Sequence, residues 1–441
     1  MAVTTGRLRR AGSLAAIPAG MGVRSLTGAL RVAAGADREI VRAEQRAANA
    51  DALRSTLGGL KGGALKAGQL LSTVDSLFPA DPDRTWATAL TDLQESNAAL
   101  DFGEIEAVLR ADLGSDWRLT LTDLDPSAVA AASLGQVHRA RHEGRDVAVK
   151  VQYPGVAEAV ASDVAMLGWM LRAGRVVARG LVVPPVVAEL RARLTDELDY
   201  LREAAHQNAF ADAFEADDDV FVPRARLATP RVLVTDWLAA APLVTVASSA
   251  DAGLRDRMGQ LYQRFLLSAP TRAGLLHADP HPGNFRVLSD GRLGVLDFGA
   301  VLPTPGGMPE SFGRLIAVML ATNPADMRTG LMREGFVRPG ADLDVTRLAA
   351  FLAPFTEPAR SEVFNYSPEW LRAKFTGGPD DPRNPDYAVA MKLTIPAEQL
   401  LTHRVWLGCV GVLCRLRSTV EVAPELRRWL PGFSRSPENL P

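Results

Sequence analysis

The stretch His277-Ala278-Asp279-Pro280-His281-Pro282-Gly283-Asn284-Phe285, followed by Leu293-Gly294-Val295-Leu296-Asp297-Phe298-Gly299, decides how this chain is read. Asp279 and Asn284 stand five positions apart, and Asp297 closes a short apolar run that reads as a strand. Three oxygen-bearing side chains are thereby set on turns and a strand end. Phosphoryl transfer asks for little covalent chemistry from a protein. It needs hard oxygen ligands that hold magnesium against phosphates, and one carboxylate near the attacking oxygen. Taken alone, the first stretch also reads as a plain turn, because Pro280, Pro282 and Gly283 break any helix and Asp and Asn favour turns. The Asp-Phe-Gly after an apolar run weighs against that reading. His277 and His281 are four apart like a zinc-binding helical pair, but the prolines exclude the helix that would align their rings.

Working outward, a kinase-type site also needs a lysine on an upstream strand. Arg145-Asp-Val-Ala-Val-Lys150-Val-Gln-Tyr153 supplies one: Val147, Val149 and Val151 alternate with Ala148, Lys150 and Gln152, so Lys150 projects from one strand face. Before it, where a phosphate-covering loop belongs, stands Ala128-Val-Ala-Ala131-Ala132-Ser133-Leu134-Gly135-Gln136, with one glycine where three are usual. Alanine resists positive φ, so this loop is expected to be stiff and its amides less free to wrap a γ-phosphate. Ordinary protein phosphorylation is not expected of it.

With these residues in view, the chain resembles the atypical kinase-like family known as UbiB, AarF or ADCK, whose members support quinone biosynthesis and lipid-linked processes. Besides the alanine loop, the resemblance rests on Lys66-Ala67-Gly68-Gln69 and on Glu197-Leu-Asp199-Tyr-Leu-Arg-Glu203. It runs from about Lys61 to about Arg415 in the family's order. It implies an α+β, bilobal protein-kinase-like fold with an N-terminal helical extension and a mostly helical C-terminal lobe. It also implies that ATP or ADP and Mg2+ are the cofactors. Asp279 is then the catalytic-loop aspartate, Asn284 and Asp297 hold magnesium, and Lys150 pairs with Glu203. Ala131, Ala132, Ser133, Gly135 and Gln136 cover the phosphates, and the hinge segment with Asp236 and Trp237 binds adenine through its backbone. Lys66, with Gln69 beside it, enters the site and pairs with Glu197, Asp199 or both, which blocks a protein substrate. On residue spacing alone, Glu197, Asp199 and Glu203 also read as the solvated face of an amphipathic helix. Asp199 and Glu203 share a face on a helical count and Glu197 does not, so that geometry rests on the resemblance. Ala67 and Asp236 depart from the family pattern, where a bulkier apolar residue and a glutamate are usual; neither change removes a chemical group.

Composition agrees with a large globular chain: 441 residues, 47% hydrophobic, 23% charged, mean hydropathy +0.02. A net charge of −2 gives no basic field for nucleic acid. Cys409 and Cys414 sit in an apolar stretch and read as buried free thiols, which suits a cytoplasmic enzyme. Residues 1–36 carry five arginines and no acid, a basic segment suited to poor order or to a peripheral contact with an anionic membrane surface. The apolar run from Val405 to Cys414 is too short to span a bilayer, which takes about 20 residues. The expected organisation is a basic terminus over 1–36, a helical extension over 37–117, an N-lobe with inserted helices over 118–241, and a C-lobe with helical additions over 242–441. Strands are expected near 136–142, 146–152, 220–226 and 231–236, and helices near 156–178 and 185–215. Candidate partners are a nucleotide, an isoprenoid lipid or quinone intermediate, and a second copy of the chain. Two further readings stay open: a small-molecule phosphotransferase of the aminoglycoside or choline kinase type, and a nucleotide-gated scaffold for a lipid or protein.

Overall fold

The computed structural model describes residues 99–131, 134–162, 198–249, 251–321, 323–337, 340–375 and 399–433, with a few isolated positions besides. Lys66, Gln69, Ala132, Ser133 and Glu197 lie outside them. Contacts divide the chain into two units, one ending at Leu201 and taking in Leu227–Val234, the other comprising Arg202–Arg226 and Thr235 onward.

In the first unit, helix α1 (Phe102–Leu113) starts where the Asp101 carboxylate accepts the Gly103 amide at 2.9 Å and stops at Gly114, φ 90°. Its Ile105, Val108 and Leu109, spaced one turn apart, are buried with Val147, Val149, Val151, Val232 and Val234 of a sheet. A short helix α2 (Trp117–Thr120) adds Trp117 to that core. The sheet orders β1 (Ala130–Ala131), β2 (Gly135–His142), β3 (Arg145–Gln152), β6 (Val232–Asp236) and β5 (Ala225–Ala228) in that sequence. β2 and β3 form a hairpin whose central residues Glu143 and Gly144 both have positive φ, the two-residue turn that matches strand twist. The strand alternation expected from sequence holds: Val147, Val149 and Val151 are fully buried and Lys150 is not.

In the second unit, helix α3 (Tyr200–Ala213, continuing from the first unit) and helix α4 (Ala252–Ala273) surround an aromatic core of Phe210, Phe214, Tyr262, Phe265, Phe285 and Phe298. α4 is capped by Asp251 and ended by Gly274 in the left-handed region. The strands β4 (Val220–Phe221), β10 (Leu293–Val295), β9 (Phe285–Val287) and β7 (Ala241–Pro242) make one sheet, and β8 (Leu275–His277) pairs with β11 (Val301–Pro303). Helices α5 (Glu310–Met319), α6 (Pro324–Arg333), α7 (Val345–Thr356) and α8 (Pro368–Phe375) follow. Then come the strand pair β12 (Val363–Asn365) with β13 (Thr419–Glu421), helix α9 (Leu400–Leu416) and helix α10 (Ala423–Trp429). Cys409 and Cys414 on α9 are buried free thiols, and burial pushes both up, Cys414 to about 12.

Two expectations need correction. The helix expected near 185–215 does not run through Leu198 and Asp199, which are not helical; α3 starts at Tyr200, and 185–197 lie outside the described residues. The C-terminal lobe, expected to be mostly helical, also holds the short strands β8 to β13; strands of three residues carry too little alternation to be read. Among the described residues no helix is long and apolar enough to cross a membrane.

Candidate nucleotide and phosphotransfer site

The catalytic loop leaves β8, makes a single turn of 3-10 helix at Pro282–Asn284 and enters β9. Within it, Asn284 Nδ2 donates to Asp279 Oδ2 at 2.8 Å and to the Asp279 carbonyl at 3.3 Å. A backbone carbonyl only accepts, so this fixes the amide's orientation and turns Asn284 Oδ1 away from the aspartate. The Asn284 carbonyl in turn accepts the Leu296 amide at 2.8 Å, which ties the loop to the residue before Asp297. Asp297 is exposed and adopts φ 60°, a left-handed conformation that is uncommon outside glycine and that marks functional positions. Its Oδ1 accepts the Gly299 amide at 3.2 Å, and its carbonyl is held by His277 Nε2 at 2.8 Å. That bond places the His277 proton on Nε2. The ring is fully buried among Phe210, Phe265, Phe285 and Phe298, and Nδ1 has no partner among the described residues.

These residues fit a magnesium ion. Asn284 Oδ1 and the Asp297 carboxylate are hard oxygen donors joined through the Asn284–Leu296 backbone bond, and magnesium commonly takes one or two protein oxygens and keeps its waters. Among the described residues there is no group of three or more His, Cys, Asp or Glu poised for a metal. His277 is a core residue, and His281 Nδ1 accepts the Gly283 amide at 3.1 Å.

Three supports of the loop come from distant sequence. Tyr262 Oη donates to the Pro280 carbonyl at 2.5 Å. Gly408 on α9 lies against the same proline, where a Cβ would come within 2.4 Å of the Pro280 ring. One turn earlier on that helix, Arg404 Nη2 stands 3.9 Å from Asp279 Oδ1. Nothing in their spacing from Asp279 could have announced them.

The remaining expected site residues divide by environment. In the first unit, Lys150 Nζ lies 5.0 Å from the Tyr200 ring centroid, a cation–π contact. Gln152 donates to the carbonyls of Leu198 and Pro230, which anchors the start of α3 beside the exposed Asp199. Gly135 admits no side chain, since a Cβ would stand 2.2 Å from the Val151 carbonyl oxygen. Gln136 is fully buried: its Oε1 accepts the Leu100 amide at 2.8 Å and its Nε2 meets His138 Nε2 at 3.0 Å. His138 Nδ1 bonds the Asp125 carbonyl at 2.8 Å, and burial lowers its pKa. The side chain of Gln136 is therefore committed to the fold, and Ala131 is paired to it in the β1–β2 ladder. In the second unit, Glu203 on the first turn of α3 is 3% exposed, which overturns the solvated-face reading for that residue. Asp236 receives both Nε and Nη2 of Arg226, at 2.8 and 2.7 Å, and its amide bonds Arg224; neither its side chain nor its N–H faces a ligand. Trp237 follows immediately at the strand end.

Residues 92–328 match the family model described as the ABC1 atypical kinase-like domain. The chain is 34% identical over 265 residues to "Atypical kinase coq-8, mitochondrial" of Caenorhabditis elegans, covering 57% of this chain and 34% of that protein. It is 32% identical over 338 residues to "Atypical kinase COQ8, mitochondrial" of Schizosaccharomyces pombe, covering 74% of this chain and 54% of that protein. It thus spans about a third to a half of the length of these curated relatives. A solved structure from Mycobacterium tuberculosis, titled as the complex of Rv3197 with erythromycin, is 34% identical with a TM-score of 0.69, covering 90% of this chain and all of that one. The fold is kinase-like, and since the matched segment takes in more than half of the 441 residues, the chain belongs to the ABC1 atypical kinase-like family, the UbiB group that its motifs resemble.

Proposed function

We propose that this chain is a magnesium-dependent ATPase that binds ATP or ADP and serves quinone or isoprenoid-lipid metabolism at a membrane surface. In this reading, protein-kinase activity is suppressed by the Lys66–Gln69 segment and the alanine loop. The observation that carries the proposal is the interlocked trio: Asp279 bonded through Asn284 Nδ2, Asn284 Oδ1 left for a metal, and Asp297 held in a left-handed conformation by its carbonyl bond to His277. Magnesium at Asn284 and Asp297 would neutralise phosphate charge. Asp279 would accept the proton of the attacking oxygen through Oδ1, which Asn284 does not bond and which Arg404 Nη2 approaches to 3.9 Å. Lys150 serves the phosphates, with Glu203 as its partner. The quinone assignment rests on family resemblance, and the relatives' names describe them as atypical kinases.

Thermal-shift titration with Mg-nucleotide tests it. The parent chain is expected to gain stability with MgATP or MgADP, and Asp297→Asn to lose that gain while melting normally without ligand. An unchanged gain in Asp297→Asn would remove Asp297 from the metal site. Suppression by the extension is read separately, by self-phosphorylation appearing in Lys66→Ala. A second reading, small-molecule phosphotransfer, is favoured by one observation, the erythromycin complex of the similar chain. Transfer of labelled phosphate to a hydroxylated small molecule, indifferent to Lys66→Ala, would put it first.

A further inference from the structure

Of the partly buried arginines elsewhere in the second unit, Arg264 and Arg314 meet carboxylates, whereas Arg255 and Arg328 donate to the carbonyls of Ser249 and Ala341. Arg264 reaches Glu425 at 2.9 Å and Asp219 at 3.2 Å, and Arg314 reaches Glu334 at 2.9 Å. Arg286, two residues beyond Asn284, is half-buried and, like Arg255 and Arg328, makes no ion pair among the described residues; it alone of these three stands beside the loop of Asp279 and Asn284. Its Nη1 donates to the carbonyls of Gly283 at 2.6 Å and Phe285 at 3.1 Å, the residues on either side of Asn284. Its Nε and Nη2 donors bond nothing among the described residues. Any neutral amide donor could hold two carbonyls, so the positive charge exceeds what that task requires. A partly desolvated cation without a counter-ion costs free energy that an arriving anion would offset.

Strand geometry says where that anion would sit. Phe285 is fully buried in the aromatic core, so Arg286, the next residue of β9, leaves from the opposite face. On that face the partner strand carries Gly294, where a Cβ would stand 3.3 Å from Arg286 Cβ and 2.5 Å from Leu238 Cδ2. Leu238 lies two residues past Asp236, at the end of the hinge segment, and the Arg286 guanidinium reaches back to the loop around Asn284. Arg286 thus runs between the adenine-side segment and the metal-side residue of one ligand site.

We propose that Arg286 is a phosphate-binding residue of the nucleotide site, donating its Nε and Nη2 hydrogens to a nucleotide phosphate; this rests on the nucleotide reading above. A planar fork of donors suits phosphate oxygens, and charge-assisted bonds of this kind are the strong ones. Calorimetric titration of the full chain with MgATP, MgADP and adenosine tests it. Arg286→Gln is expected to weaken MgATP and MgADP about 10-fold or more while leaving adenosine within about 2-fold, since only the charge is lost. Arg286→Lys, which keeps the charge, is expected to recover most of the loss and covers the case in which the glutamine variant does not fold. Equal weakening of adenosine and MgADP would make Arg286 a purely structural clamp, and unchanged MgADP binding in Arg286→Gln would also overturn the proposal. A parent chain that binds no nucleotide would instead defeat the nucleotide reading itself. If the parent and Asp297→Asn behave as expected while Arg286→Gln binds like the parent, only the role of Arg286 fails.

Discussion

Two regions of this chain carry recognisable motifs, and they use the same device to opposite ends. In the alanine-loop stem, buried His138 gives its Nδ1 proton to the Asp125 carbonyl, and its other nitrogen is satisfied by Gln136. In the catalytic loop, buried His277 gives its Nε2 proton to the Asp297 carbonyl, and its other nitrogen meets only aromatic rings. Around His138 the motif's polar side chain points into the fold: Gln136 clasps Leu100, Gly135 exists because Val151 is too close for a Cβ, and the described alanines Ala130 and Ala131 lie exposed on β1. Around His277 the motif side chains Asp279, Asn284 and Asp297 stay part-exposed or exposed and bond one another or local amides. A motif residue is therefore not by that fact a ligand-binding residue. The first region spends its motif on placing a backbone, the second on presenting functional groups.

That contrast predicts different failures. The largest effect belongs to the second region: Asp279→Asn is expected to lower nucleotide turnover by about 100-fold or more, the usual worth of a positioned base, with little change in melting temperature. Single-turnover assay beside a melt checks both; a large melting change would place Asp279 with the structural residues. Gly135→Ala is expected to do the reverse, destabilising the chain by about 3 kcal/mol because a carbonyl 2.2 Å from the new Cβ cannot yield as a side chain would. A denaturant midpoint close to the parent's would show that β2 and β3 separate more easily than the packing implies. Gln136→Ala strips partners from the Leu100 amide and the His138 ring and is expected to cost about 2 kcal/mol.

The smallest effect is a pH dependence of the first region. Burial lowers the folded pKa of His138 below its unfolded value of about 6.5, so the folded state takes the proton less readily than the unfolded one. Its contribution is fully present above about pH 6.5 and is lost as pH falls through that value toward the folded pKa. His138→Gln should melt with a flatter acid limb between pH 7 and pH 5. An identical limb would assign the acid sensitivity to other groups, of which His403, buried between Phe312 and Phe336 with its pKa lowered to about 4, is the first to test.

Much of this was legible in the residues. The β3 alternation that exposes Lys150, the loop spacing of Asp279 and Asn284, the strand ending at Asp297 and the family itself follow from local order, because strands and turns are encoded by neighbours two to five positions apart. Less visible was the commitment of the Gln136 and Asp236 side chains to internal partners. Glu203 looked like any acid on a helix surface until its burial was seen. Lys66, Gln69 and Glu197 lie outside the described residues, so the roles given to them remain those of the resemblance.

By itself, then, the sequence determined the identity and order of the chemical groups: the oxygens of Asp279, Asn284 and Asp297 on a loop and past a strand end, one strand lysine, and an alanine-rich stretch where glycines are usual. Only the tertiary structure decided which of those groups are free to act. Whether a donor meets water, a ligand or a buried carbonyl depends on residues more than 100 positions away, such as Gly408 and Arg404 against the loop at Pro280 and Asp279. Hydrogen-bond partners across that separation leave no periodic trace in the chain, because they are set by how helices and sheets pack rather than by the local geometry that spacing encodes.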